Sequence, residues 1–291
     1  MSQLSDALKK RVQGDLMFDR FSRGRYATDA SLYQMMPLGV LSPRSEDDIR
    51  AAIDIAGEQG VPVLARGGGT SQCGQTVNEA LVLDNTQHFN DILELDVEGQ
   101  RCVVRPGIVL DDLNRALKPH GLWFQVDVST ASRATIGGMT GNNSCGGKSL
   151  RYGMMRDNVL SIDAFLADGT KHHFGPLDNT PSPALAALRD DLLELGAREA
   201  AEIDARFPKV MRRVGGYNID ALVPKDTPNN LAHLLVGSEG TLAYSTAIEL
   251  KLWPLVSQKV LGVCHFPTFH QAMDAAQHLV TLKPQGVELV D

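Results

Sequence analysis

The sequence predicts an α+β protein made of two α/β subdomains. Three observations carry this reading. The chain has 291 residues, more than one average core accommodates. In its first half, short apolar runs alternate with stretches of helical apolar spacing, the pattern of α/β units. Further on, "NVLSIDAFLADGTKHHF" reads as two strands joined at Asp168-Gly169, a hairpin with a two-residue turn.

The elements follow in order. Residues 1–36 read as a polar, partly helical N-terminal arm with a loop over "FSRGRYATDASLYQMMP". "GVLSP" gives a short strand. Ser45 with Asp48 three residues on has the form of a capping box. The helix "EDDIRAAIDIAGEQG" places Ile49, Ala52, Ile53 and Ala56 on one face, and Gly60 stops it. "VPVLAR" is a strand, "GGGTSQCGQTV" a loop, and "ALVLD" a strand. "RCVVRPG" is a strand ended by Pro-Gly. "VLDDLNRALKPHG" is a helix on Leu110, Leu113 and Leu117, closed by Gly121. Residues 176–235 form a less regular, helical insert around "SPALAALRDDLLELGAREAAEIDARFP" and the loop "RRVGGYNIDAL". "HLLVGSEGTLAYSTAIELKLWP" is a loop leading into a long strand. "KVLGVCHF" reads as a strand, "TFHQAMDAAQHLVTL" as an amphipathic helix, and "GVELVD" as the start of another strand. The pattern assigns 37–255 to one domain of two subdomains and 256–291 to the start of another, within a longer polypeptide.

Composition narrows the class. Hydrophobic content of 43% and charged content of 22% are ordinary for a globular protein. The net charge of -7 argues against a nucleic-acid surface, although a local basic patch can hide in that sum. There is no apolar run of about 18 residues, so no transmembrane segment is expected. The N-terminus lacks the apolar core of a secretory signal, and a cytoplasmic location is expected. Cys73, Cys102, Cys145 and Cys264 form no CxxC pair, so no metal site is expected. Cys102 and Cys264 lie in apolar runs and read as core residues. Cys73 and Cys145 read as small packing residues in loops.

"GNNSCGGKSLRYG", residues 141–153, imitates a phosphate-binding P-loop. The spacing excludes it: the position that must be glycine is Asn142, and Gly141 comes one residue too early. The residues around it make a poor strand before and a poor helix after. Lys148 reads equally as a phosphate partner or a solvated loop lysine.

The segment belongs with two other glycine-rich loops. "ARGGGTSQCG" follows a strand; its three glycines free the backbone, and successive N–H groups can form an anion-binding nest, with Thr70 and Ser71 adding hydroxyls. The middle loop runs from "VDVSTASRATIGGMTGNNSCGG" and supplies Ser132, Thr135 and Asn142 among other small polar residues. The third is "GSEGTL". Each alone reads also as a surface turn. A structureless run of about 25 residues inside a compact domain is rare unless functional, and the three together point to a large nucleotide cofactor.

In this order, "VPVLARGGGTSQCG", "VVRPGIVLDDLNRAL", "TIGGMTGNNSCGGKSLRYG", "LADGT" and "VGSEGTLAYST" resemble the FAD-binding domain of the vanillyl-alcohol oxidase family, the PCMH-type fold of FAD-linked oxidases and dehydrogenases. The resemblance spans roughly residues 26–255. The branch it is most similar to is that of D-2-hydroxyacid dehydrogenases of the D-lactate, glycolate and D-2-hydroxyglutarate type. The wording "TASRATIGGMTGNNSCG" is similar to large bacterial flavoproteins that also carry an iron–sulfur region, which would lie in sequence not present here.

The resemblance implies roles. FAD would lie extended between the two subdomains. Arg66, Gly67, Gly68, Gly69, Thr70 and Ser71 would wrap its pyrophosphate, and Pro106 and Gly107 would line the groove. Ser132, Thr135, Ile136, Gly137 and Gly138 would lie beside the flavin and ribityl chain. Asn142, Asn143, Ser144 and Cys145 would make a second phosphate and ribityl contact. Glu239, Gly240, Thr241 and Leu242 would stand near the adenosine. Asp29 and Ser31 match an N-terminal element of the family. Members that attach FAD covalently do so through a histidine near the first loop; none stands in "GGGTSQCG", so noncovalent FAD is implied. The substrate implied is a small 2-hydroxy acid, with the electron acceptor left open. His172 and His173 point to opposite faces of a strand and read as surface residues, not as the base. Arg212, Arg213 and Tyr217 are candidates for lining the flavin or substrate space, and a solvated loop reads equally well. No catalytic base or carboxylate clamp is identified. The alternatives are a sugar or aromatic-alcohol oxidase of the same fold, and a non-catalytic nucleotide-binding module.

Overall fold

The structure, a computed structural model, describes residues 2–177 and 183–290. Its first layer is a four-stranded sheet. After helix α1 (Ser2–Lys9) come β1 (Asp15–Met17), α2 (Arg20–Gly24), β2 (Gly39–Ser42), α3 (Glu46–Glu58), β3 (Val63–Arg66) and β4 (Leu81–Asp84). The sheet order is β1-β2-β4-β3, with β2, β4 and β3 parallel and β1 antiparallel at the edge. The arm, described from residue 2, is thus tied into the first sheet through β1. Strands β2 and β4 are buried at every position, as parallel strands covered on both faces are. Leu41, Leu81 and Leu83 pack with Ile49 and Ile53 of α3 and with Leu4 and Leu8 of α1.

Half of the expected capping box is present. The Ser45 hydroxyl accepts from the Asp48 amide at 3.1 Å. The Asp48 carboxylate does not return the bond. It accepts instead from the amides of Gln13 (2.7 Å) and Arg44 (2.8 Å), which ties the N-terminal segment to the helix start.

The second layer is antiparallel. Strands β5 (Ile92–Asp96) and β6 (Arg101–Val104) lead into α4 (Leu110–Leu117) and β7 (Leu122–Trp123). Three short helices follow, α5 (Ile136–Asn142), α6 (Ser149–Tyr152) and α7 (Met155–Asn158), then β8 (Val159–Phe165) and β9 (Lys171–Phe174). Helices α8 (Pro183–Arg198), α9 (Ala200–Arg206) and α10 (Ala232–Leu235) precede β10 (Tyr244–Lys251), β11 (Trp253–Pro254) and α11 (Phe269–Leu279). The five-stranded order is β5-β6-β10-β8-β9. Its core joins Val104, Leu113, Leu117, Phe124, Ile136, Ile162, Ile248 and Leu250.

The two layers meet through Glu46, which binds Arg105 at 2.6 Å and Lys171 at 2.7 Å. The buried Tyr244 hydroxyl adds a bond to the Asn85 side-chain oxygen at 2.6 Å.

Several expectations are corrected. The Asp168-Gly169 hairpin has a three-residue loop: Leu166 N donates to Thr170 O, and Gly169 (φ +77°) closes the turn on Leu166 O. A left-handed glycine at that place is what the three-residue hairpin requires. The middle loop is not structureless, because α5, α6 and α7 lie within or beside it. "KVLGVCHF" and "GVELV" form no strand. Among the described residues no strand pairs with them, and Val260, Leu261 and Val263 stay exposed. Cys264 is consequently exposed, not core, and Cys73 is exposed as well, whereas Cys102 is buried.

Candidate cofactor site

Strand β3 delivers the first loop, and Arg66 at its end fixes the loop's base. The buried guanidinium donates to the carbonyls of Tyr26 (3.0 Å), Thr28 (2.7 Å) and Thr76 (2.8 Å). Its fork thus serves three backbone carbonyls, which anchors the base of the loop. Gly69 takes φ +64°, and its carbonyl accepts from Ala30 N at 3.0 Å. Asp29 accepts from Thr76 Oγ1 at 2.7 Å and from Ser31 N at 2.8 Å. The residues of "YATDAS" therefore brace the loop from behind. Among the described residues, the backbone amides from Gly68 to Ser71 donate to no protein group. They are free to serve an anion.

The first loop lies directly on the second. A β-carbon on Gly67 would collide with Thr135 Oγ1, and one on Gly68 with the Arg133 carbonyl. Thr135 caps α5, its hydroxyl accepting from Gly138 N at 3.3 Å. Gly137 N donates to Pro106 O at 2.7 Å and Gly107 N to Phe89 O at 2.6 Å; both glycines sit where a side chain would strike backbone. Close protein packing thus requires many of these glycines.

The second loop lies in turn on the third. Gly237 N donates to Thr140 O and Glu239 N to Gly141 O, both at 2.9 Å. Glu239 (φ +54°) and Gly240 (φ +73°) form a tight left-handed turn over the end of α5. Although Glu239 is exposed, partial burial of its carboxyl raises its pKa, and a hydrogen bond with Gln75 of the first loop pulls the other way. Tyr217 and Thr241 share a hydroxyl–hydroxyl bond of 2.7 Å, and Arg212 donates to Gly146 O at 2.6 Å. Two of the insert residues therefore do reach the loops. Arg213 does not; it pairs with Asp220 at 2.6 Å.

The remaining predicted residues divide by exposure. Ser132, Gly138 and Asn142 are exposed beside the loops, and Thr70, Ser71 and Cys145 half-buried. Pro106, Gly107, Asn143 and Ser144 are buried, and Ile136 has no exposed surface. Ile136 and Leu242 pack on the second core, Ile136 fully buried and Leu242 half-buried. Two buried side-chain atoms in the loops have no protein partner, Gln75 Oε1 and Asn143 Nδ2. Gln75 and the bracing residue Tyr33, which lies against Gly74, were not anticipated. The small residues of "YATDAS" preceding Tyr33 were the only hint.

The near-P-loop is settled by its contacts. Lys148 lies 3.7 Å from Asp127 and 4.6 Å from the centre of the Trp123 ring. Ser149 is buried, its hydroxyl accepting from Gly146 N at 3.0 Å. His173 is held by Asp163 at 2.7 Å on the hairpin. Among the described residues, no cluster of three or more His, Cys, Asp or Glu could hold a metal, and no helix is long and apolar enough to cross a membrane.

With this geometry in hand, three comparisons bear on the chain. Residues 37–175 match the family model of an FAD binding domain. The D-2-hydroxyglutarate dehydrogenase of Pseudomonas putida is 36% identical over 289 residues, which covers 96% of this chain and 29% of that protein. Glycolate oxidase subunit GlcD of Bacillus subtilis is 31% identical, covering 97% of this chain and 52% of that one. Among solved structures, an alkyldihydroxyacetonephosphate synthase superposes with a TM-score of 0.68 at 19% identity, over 98% of this chain and 47% of the other. The chain therefore spans under a third of the D-2-hydroxyglutarate dehydrogenase and about half of the other two.

Proposed function

We propose, from the premise that this chain carries an FAD-binding domain of the PCMH type and is homologous to FAD-linked dehydrogenases, that it is the cofactor-binding portion of an enzyme oxidising a 2-hydroxy acid. The observation that carries this is the convergence of three loops: Gly67 against Thr135, and Gly141 bonded to Glu239. The residues fit the cofactor. Free amides from Gly68 to Ser71 suit a pyrophosphate. Asn143 Nδ2 and Gln75 Oε1 hold unused hydrogen-bonding capacity inside the loops, and buried polar atoms rarely go without a partner.

When bound, FAD supplies the hydride acceptor for oxidation of the hydroxyl-bearing carbon. The chain's own residues bind and orient. The amides of the first loop and the hydroxyls of Thr70 and Ser71 hold the phosphates. The α5 start, with Gly138 and Ser132 exposed, lies along the flavin side, and the Glu239–Gly240 turn closes the adenosine end. Noncovalent binding is favoured because no histidine stands in the first loop. The 2-hydroxy acid as substrate class is supported by the D-2-hydroxyglutarate dehydrogenase and glycolate oxidase relatives.

The test has two stages. The purified chain is mixed with FAD and desalted, and its visible spectrum is recorded. Retained flavin bands are expected; a colourless chain would remove the cofactor reading. A longer polypeptide containing this chain, loaded with FAD and kept anaerobic, is then mixed with D-2-hydroxyglutarate, D-lactate or glycolate. Bleaching by one of these is expected. Bleaching by a sugar or aromatic alcohol alone would overturn the substrate class.

A further inference from the structure

Both tryptophans of the chain, Trp123 and Trp253, stand in one aromatic cluster on the face beyond α4. Tyr152 bridges them in edge contact, with ring centres 6.3 Å from Trp123 and 5.0 Å from Trp253. Each ring carries a cation. Lys148 and Lys259 stand 4.6 and 5.7 Å from the Trp123 centre, Lys251 4.4 Å from that of Trp253, and Arg151 5.6 Å from that of Tyr152. Beside the cluster, Arg115 and Lys118 of the α4 end, Trp123, Leu255, Val256 and Lys259 line a groove of about 510 Å³, with Asp111 as its acid.

The charges here are only partly answered. Arg115 pairs with Asp112, and Lys148 with Asp127. Lys118, Lys251 and Lys259 are exposed and, among the described residues, have no carboxylate in ion-pair reach. A chain of net charge -7 thus gathers uncompensated cations around an apolar floor. That combination, an apolar centre with a charged rim, is the anatomy of a protein-binding patch.

We propose that this groove docks an acidic polypeptide segment, its carboxylates on Lys118 and Lys259 of the lining and on Lys251 over the neighbouring Trp253 ring, and an apolar side chain on Leu255 and Val256. Two features select this occupant. Lys259 stands over Trp123, Lys251 over Trp253, and Lys118 on the groove wall; cations spread over separate places suit several carboxylates in sequence better than a single small anion. Nucleic acid would need open aromatic faces for its bases to stack on. Trp123 is only 8% exposed and has lysines over it. The proposal is independent of which hydroxy acid the enzyme takes, because the residues that would meet the peptide, Lys118, Lys251, Leu255, Val256 and Lys259, lie outside the three loops.

Fluorescence anisotropy of a dye-labelled hexaglutamate peptide, titrated with the full FAD-loaded chain at low salt, tests this. Saturable binding is expected, weakening as salt is raised. The K118E/K259E variant should bind about tenfold more weakly or worse, as loss of two exposed ion pairs implies. FAD retention should be unchanged in that variant, which shows that it is folded. The emission of the two tryptophans should change on binding, and this locates the peptide. No rise in anisotropy at millimolar chain would overturn the proposal. So would equal affinity in K118E/K259E, or an oligothymidylate binding as tightly as the peptide.

Discussion

Gly67 and Thr135 compete for one position: the atom of Thr135 that caps α5 is the atom a β-carbon on Gly67 would strike. Gly67→Ala therefore displaces the cap as well as the loop. Overpacking typically costs about 1–3 kcal/mol and a lost cap about 1 kcal/mol. Denaturant unfolding should show a loss in that range, and FAD affinity should fall with it. Thr135→Ala removes the obstacle, so the double variant should be less destabilised than the sum of the singles. Strict additivity would mean the two residues do not share the space.

Arg66 should tolerate no substitution, lysine included. A lysine keeps the charge but cannot present a planar fork to the carbonyls of Tyr26, Thr28 and Thr76 at once. Arg66→Lys is expected to cost about 2–3 kcal/mol, the scale of bonds to a charged group. Limited proteolysis should then cut the loop at residues 67–77 faster. An unchanged urea midpoint would show that the fork is dispensable.

Glu46 makes stability depend on acid pH. Burial opposes its ionisation, but hydrogen bonds from Arg105 and Lys171 prevail and hold its pKa below the usual glutamate value. A carboxyl with a depressed folded pKa contributes stability that is fully present above the unfolded pKa, near 4.5, and is lost as pH falls through the folded one. At neutral pH, Glu46→Gln should be less stable by about 1 kcal/mol. The gap between it and the parent should close below the unfolded value. A constant difference from neutral to acid pH would rule out this linkage.

The four thiols should separate by accessibility. Burial pushes the Cys102 thiol up to about 12, with the Glu249 charge adding to the shift. Cys73 and Cys264 are exposed and Cys145 half-buried. A chromogenic disulfide reagent should modify Cys73 and Cys264 first, Cys145 more slowly, and Cys102 only after denaturation, as thiolate access dictates. Mass spectrometry of the labelled peptides assigns each step.

Local rules made much of this structure legible. Ile49, Ala52, Ile53 and Ala56 fall on the buried side of α3 as their spacing demands. Gly60 and Gly121 end their helices in left-handed conformation. Strand β5, "ILELD", is not legible in the sequence because a register shift between Ile92 and Glu94 leaves Leu93 exposed beside Glu94 and breaks the alternation of an edge strand. Helix α5, "IGGMTGN", has three glycines and no strong helix former beyond Met139, so propensity argues against it. Contacts with Pro106 and Ile108 hold it in place, and sequence periodicity carries no record of such tertiary contacts. The same holds for the site. Its loops were visible as glycine-rich runs, but the distinction between glycines pressed on protein and amides left for a ligand required coordinates.

The place of β10 has a consequence for biosynthesis. It is the central strand of the second sheet, pairing with β6 on one side and β8 on the other, yet it is the last of the five to leave the ribosome. Until residues 244–251 emerge, β5–β6 and β8–β9 can exist only as separate hairpins, each with an open edge. Isolated hairpins are marginal in water, and open edges invite pairing with other chains. Nascent chains paused before residue 244 should therefore call on holding chaperones, whereas the parallel sheet, complete by Asp84, can close early.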